Sequence, residues 1–159
     1  MKPAKSPSLQ LSLKGRALRL LSGREYSRAE LERKLQPYEE ASGELAQALD
    51  ELQAKDFISE TRVIESVINR RASKLGASRI RQELQGKGLD RDAVIEAVAG
   101  LKSTELERAR EVWRRKFGAK SADFLAEPAE RGKQMRFLAA RGFGGDVIRK
   151  VIAGAMDEE

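Results

Sequence analysis

Neither histidine nor cysteine occurs anywhere in the 159 residues. Their joint absence removes the usual pairing of a nucleophile with an imidazole base, the thiolate redox couple, and every zinc site built on imidazole or thiolate. Catalysis would have to rest on carboxylates, lysine, tyrosine or serine alone. Aromatic residues are scarce, at 5%, so platforms on which bases could stack are few. Long apolar runs are missing too. Met1 to Ser8 carries two lysines and two prolines and leads into no hydrophobic stretch. The expectation is a cytoplasmic chain without signal peptide or membrane span, with residues 1–12 as a disordered lead.

What is present is helical. Hydrophobic residues form 40% and charged residues 35%, the balance of a helix-rich chain with a modest aliphatic core. Apolar positions recur at three and four residue spacing, and nowhere alternate long enough for a strand. Ala17, Leu20 and Leu21 mark a short helix closed by Gly23, and Ser27 with Glu30 forms a capping box ahead of Leu31 and Leu35. Pro37 ends that helix, Leu45, Leu49 and Leu52 share a face of the third, and Asp56 to Ile58 turn the chain toward an N-cap at Ser59. Val63, Ile64, Val67 and Ile68 follow on one face, with Gly76 placed as a helix stop and Ser78 as the cap of a helix bearing Ile80 and Leu84. Gly86 and Gly88 break that helix, and Asp90 opens another with Val94, Ala97, Val98 and Leu101 inward. Thr104 with Glu107 reads as a second capping box, ahead of Leu106, Ala109, Trp113 and Phe117; Gly118 closes this helix, and Pro128 fits the first turn of the next.

These helices repeat. Glu30, Leu31, Lys34 and Leu35 echo Arg79, Ile80, Glu83 and Leu84, while Leu84, Gly88, Leu89, Asp92, Val94, Ala97 and Val98 match Leu138, Gly142, Phe143, Asp146, Ile148, Val151 and Ile152 at one constant offset. The spacing predicts three-helix repeats over 13–58, 59–102 and 103–156, followed by an acidic tail at 157–159. A unit of about fifty residues cannot bury its own apolar stripe. The expected fold is therefore all-α, with tandem three-helix repeats stacked into an elongated, curved, solenoid-like body.

The carboxylates Asp50 with Glu51, and Asp157 to Glu159, read as solvated surface, and nothing draws them to a shared cleft as a magnesium nuclease would require. Gly86, Gly88 and the Gly142, Gly144, Gly145 group lack the lysine-hydroxyl pair of a phosphate loop and follow helices, so they read as terminators. The expectation is a protein that is no enzyme and holds no metal or cofactor.

Charge points to a partner instead. Lysine and arginine number 31 against 25 acids, a net +6, and the sequence pI is about 9.7. Two clusters concentrate it: Arg70, Arg71, Lys74, Arg79 and Arg81 around Gly76, and Arg110, Arg114, Arg115 and Lys116 ahead of Phe117. Single charges of this kind are commonly balanced by helix neighbours such as Glu107 and Glu111. Two clusters together favour a polyanionic or acidic partner. One reading is a stand-alone DNA-binding regulator, with Arg79, Arg81, Gln82 and Gln85 on the recognition helix of a helix-turn-helix. Trp113 and Phe117, four apart on the face of Leu106, are packing residues in either case.

The order and spacing of certain residues across all three units resemble the RecX family of regulators of the RecA recombinase. In the middle unit these are Phe57, Ile58, Arg62 and Val63, then Arg70, Lys74, Gly76, Arg79, Ile80, Glu83, Leu84, Lys87, Gly88 and Leu89. Lys133, Phe137, Leu138, Arg141, Gly142, Phe143, Val147 and Ile148 carry the closing pattern, and Ser27, Arg28, Glu30 and Leu31 the first unit. Ser59 to Ile64 depart from it, since the family often has acidic residues followed by Phe and Ala there; the cap survives with aliphatic packing in place of a Phe contact. The resemblance implies a monomer that binds the groove of the RecA filament on single-stranded DNA and inhibits ATP hydrolysis, strand exchange and co-protease activity. The two basic clusters would then dock electrostatically against filament protein or the enclosed DNA, with weak binding to DNA alone.

Overall fold

The computed structural model describes residues 11–157. Among them are ten α-helices and no strand: α1 Leu13–Leu21, α2 Arg28–Leu35, α3 Glu44–Ala54, α4 Glu60–Arg71, α5 Ala77–Gly86, α6 Arg91–Ala99, α7 Glu105–Phe117, α8 Ala122–Leu125, α9 Pro128–Ala140 and α10 Gly145–Asp157. The repeats are α1 to α3, α4 to α6, and α7, α9 and α10. The single turn α8 is an insertion too short to show a period in sequence; the Ser121 hydroxyl sets it by accepting the Phe124 N–H at 3.2 Å. The expected lead and acidic tail lie mostly outside the described residues. Where they overlap, Ser12 caps α1 by accepting the Gly15 N–H at 3.0 Å, and α10 reaches Asp157.

The first of two compact units comprises the described residues up to Val63 together with Lys87–Leu89. Its core gathers Leu31, Leu35, Leu45, Leu49, Leu52 and Ile58, all nearly sealed from solvent. Ser27 is the hub of its polar packing. Its hydroxyl accepts the Glu30 N–H at 3.1 Å and donates to the Lys87 carbonyl at 2.6 Å, while Glu30 Oε1 accepts the Ser27 N–H at 3.0 Å. The capping box predicted from Ser27 and Glu30 is thus formed. Glu30 Oε2 also meets Arg24 at 2.8 Å and Lys87 at 3.3 Å.

Burial alone would raise the Glu30 pKa, but the Arg24 hydrogen bond, the Ser27 N–H and the Lys87 charge outweigh it and hold the carboxyl at about 2 against an ordinary 4.5. A depressed carboxylate stabilises the fold fully above its unfolded pKa and loses that contribution as pH falls through its folded value. Glu30 is therefore expected to contribute about 3 kcal/mol at neutral pH, lost between roughly pH 4.5 and pH 2. Denaturant unfolding followed by helical circular dichroism over that range should fall more steeply for the parent than for Glu30→Gln; parallel curves would contradict the assignment.

The second unit comprises Ile64–Gly86 and the described residues from Asp90 onward. Ala109, Val112, Leu138, Phe143, Val151 and Ile152 form the centre of its core. Buried Gln134 joins three helices there, accepting the Trp113 indole N–H at 2.9 Å and donating to the carbonyls of Leu125 at 2.9 Å and Glu130 at 3.2 Å.

Three local readings are corrected in this unit. Gly76 does not stop α4, which ends at Arg71; it precedes α5, its carbonyl accepting the Ile80 N–H at 3.2 Å. Ser78 accordingly lies inside the first turn of α5 and is not its cap. Thr104 and Glu107 form no capping box. The 3-10 turn Lys102–Thr104 holds Thr104 at φ −108° and ψ −3°, whereas a capping residue needs extended backbone, and Glu107 pairs with Arg110 instead.

The repeat-equivalent glycines Gly88 and Gly142 both adopt left-handed backbone, φ +69° and +93°. Each lies against the start of a second helix in its unit. A Cβ on Gly88 would sit 2.6 Å from Ala29 Cβ, and one on Gly142 2.4 Å from Arg79 Cγ.

Candidate partner-docking surface

The segment joining α4 to α5, residues 72–76, leaves backbone carbonyls beyond the end of a helix, and these need donors. Two arginines seven residues apart on α7 supply them. Arg108 Nη1 donates to Ala72 O at 2.8 Å and Leu75 O at 2.7 Å, its Nη2 to Leu101 O at 3.3 Å, and its Nε to the Thr104 hydroxyl at 3.1 Å. Burial pushes the Arg108 guanidinium below its ordinary pKa, opposed by the Glu105 carboxylate. One turn pair further on, Arg115 Nη2 donates to Ser73 O. The α4–α5 joint is thereby fastened to α7, with the Lys74 side chain left exposed beside it.

Fastening the joint brings one residue of the first basic cluster and two of the second to one place. Lys74 from the first and Arg115 and Lys116 from the second line a depression of about 240 Å³ with Val112, Phe137 and Arg141. Phe137 packs edge-on against Phe117, centroids 5.5 Å apart, and carries cations on its ring: Arg141 at 4.9 Å and Lys116 at 5.6 Å. Four cations converge here with no carboxylate among the lining residues, an arrangement suited to phosphate or clustered carboxylate groups. Arg141 and Phe137 lie outside the two basic clusters of the sequence; their four-residue spacing at the end of α9, which seats a guanidinium over a ring, is the sequence signal for them.

The other predicted site residues do not join this depression. Arg71 pairs with Glu83 at 3.1 Å, and Arg79 donates to Ala140 O at 2.6 Å, closing the end of α9. Arg70 and Arg81 are exposed elsewhere on α4 and α5. Arg110 and Arg114 pair within α7 with Glu107 at 2.5 Å and Glu111 at 2.8 Å, and line a separate depression with Trp113, Val151 and Gly154. Such short-range exposed pairs are largely self-neutralising. The recognition-helix arrangement also loses its leading end: the Ala77 N–H of α5 donates to Glu105 Oε1 at 3.1 Å, and Arg79 is engaged within the unit.

Comparison with known proteins matches this architecture repeat by repeat. The first, second and third three-helix domains of RecX match residues 14–52, 59–98 and 103–152. The chain belongs to the RecX family. The regulatory protein RecX of Leptothrix cholodnii is 52% identical over 90% of this chain and 88% of its own length, and that of Ralstonia nicotianae 48% identical over 94% and 91%. The crystal structure of RecX from Lactobacillus salivarius superposes with a TM-score of 0.73 at 20% identity, covering 90% of this chain and 94% of that one, so the fold is shared. These RecX relatives are named as regulatory proteins. Among the described residues no acidic cluster is placed to hold a metal ion, and no helix is long and apolar enough to cross a membrane.

Proposed function

We propose that this RecX-family chain regulates RecA negatively, binding the RecA filament on single-stranded DNA and inhibiting its ATP hydrolysis, strand exchange and co-protease activity. It acts in the cytoplasm as a monomer, by occupying a surface, without catalysis or cofactor. The observation that carries the reading is the convergence of Lys74, Arg115, Lys116 and Arg141 on one depression in a chain matched to RecX over all three repeats. A four-cation surface gains affinity from acidic filament protein or from DNA phosphates.

The test is RecA ATPase on single-stranded DNA with increasing amounts of the protein. Inhibition is expected, together with only weak and steeply salt-dependent binding to DNA when RecA is absent. Unimpaired ATPase, with sequence-specific duplex binding that favours one site by roughly 10³ or more at physiological salt, would replace this reading with the helix-turn-helix one.

A further inference from the structure

The first unit carries a second basic depression of different character. It has a volume of about 260 Å³ and is lined by Leu11, Leu20, Leu35 and Tyr38 on its apolar side and by Arg16, Arg19 and Lys34. No carboxylate is among the lining residues. Arg16 lies over the Tyr38 ring, 3.8 Å from its centroid, so that face of the ring is already covered. Lys34 corresponds in the repeat to Glu83, whose carboxylate is paired with Arg71. Beyond Leu11 and Tyr38 a neighbouring depression is bordered by Glu40 and Glu44, with Lys14, itself paired with Glu51, beside them. Residues 1–10 carry lysines and no acid, so their charge does not complement the cations.

We infer that this depression is a docking site for an acidic peptide segment that bears a bulky aliphatic or aromatic side chain. The apolar wall takes that side chain out of water, which nucleic acid would not require, while Arg16, Arg19 and Lys34 receive the flanking carboxylates. A strand of DNA would instead need a free ring on which to stack, and Arg16 already covers one face of Tyr38, the aromatic residue lining the depression. Glu40 and Glu44 repel the same segment from the neighbouring hollow and so restrict it to the basic half. The site is independent of the RecA reading and lies on a different unit from the Lys74 depression.

The experiment uses the full chain without RecA. A fluorescein-labelled, amidated peptide Asp-Glu-Asp-Leu-Phe-Glu-Asp is titrated with the protein by anisotropy, beside the same peptide with Leu-Phe replaced by Ser-Ser and a thymidylate oligonucleotide of equal charge. The Leu-Phe peptide is expected to bind about tenfold more tightly than the Ser-Ser peptide, and Arg19→Glu with Lys34→Glu to weaken it about tenfold. Amide shifts in nitrogen-15 spectra should centre on Leu20, Leu35 and Tyr38. Both substituted cations are exposed, and an unchanged circular dichroism spectrum verifies the variant's fold. Equal binding of the two peptides, oligonucleotide binding with the same dependence on Arg19 and Lys34, shifts confined to the second unit, or no binding would each overturn the proposal.

Discussion

Replacing Arg108 with alanine is expected to lower the unfolding free energy of the second unit by about 3 kcal/mol or more, equivalent to roughly 6–12 °C in Tm. The guanidinium donates to three carbonyls and one hydroxyl from α7, and a charged donor contributes about 1.5–3 kcal/mol per hydrogen bond. Burying the charge costs part of this, the same desolvation that lowers its pKa. The balance still favours the arginine, because alanine leaves the Ala72 and Leu75 carbonyls without their donor. Arg108→Lys should restore only part of the loss, since a single ammonium cannot reproduce the planar fork. Arg114→Ala, which removes an exposed pair with Glu111, should change stability by less than about 1 kcal/mol. The chain has one tryptophan, Trp113, on α7 itself, so its fluorescence during urea unfolding reports the relevant unit. A loss below about 1 kcal/mol for Arg108→Ala would contradict the fastening role.

Gly76→Ala is expected to destabilise by about 3 kcal/mol, the upper range for overpacking. A Cβ there would lie 2.3 Å from the Gly142 carbonyl oxygen and 2.6 Å from the Phe143 nitrogen, both backbone atoms. The position has little freedom to retreat, because the Gly76 N–H donates to Arg141 O at 2.8 Å. Gly86→Ala is the matched comparison. Nothing lies within 4 Å of the added carbon, and alanine at the end of α5 should be neutral or stabilising by up to about 1 kcal/mol. The same Trp113 fluorescence measurement decides between them, and equal effects of the two substitutions would refute the close approach at Gly76.

Gly76 and Gly86 also show how far the chain could be read without coordinates. Both look like helix punctuation in sequence, and for Gly86 that is sufficient, since α5 ends there. The demand on Gly76 comes from a turn more than sixty positions away, so no local pattern reveals it. The two serine or threonine motifs with glutamate three residues on divide in the same manner. Ser27 enters α2 from extended backbone, φ −73° and ψ 159°, and caps it. Thr104 arrives from a 3-10 turn and cannot. The repeats themselves were legible because Leu84 and Leu138, Gly88 and Gly142, and Leu89 and Phe143 each face the same packing demand in successive repeats.

The basic surface was legible as composition and only partly as geometry. Helical spacing identifies Glu107 and Glu111 as the neighbours that balance Arg110 and Arg114. It says nothing of Arg79 reaching Ala140 O, or of Arg115 reaching Ser73 O, because a backbone carbonyl carries no signature in sequence. The depression also needs Arg141 and Phe137 from α9 and its end, which enter only when that helix packs beside α7.

Docking on the RecA filament is proposed for the surface of Lys74, Lys116 and Arg141. It is tested most directly by the protein concentration that half-inhibits RecA ATPase on single-stranded DNA, compared between the parent, Lys116→Glu with Arg141→Glu, and Arg110→Glu with Arg114→Glu, at several salt concentrations. The first pair should raise that concentration at least about tenfold while helicity is unchanged, and the second pair should leave it within about threefold. Equal inhibition by the parent and the Lys116 and Arg141 variant, or a loss confined to the Arg110 and Arg114 variant, would contradict the account.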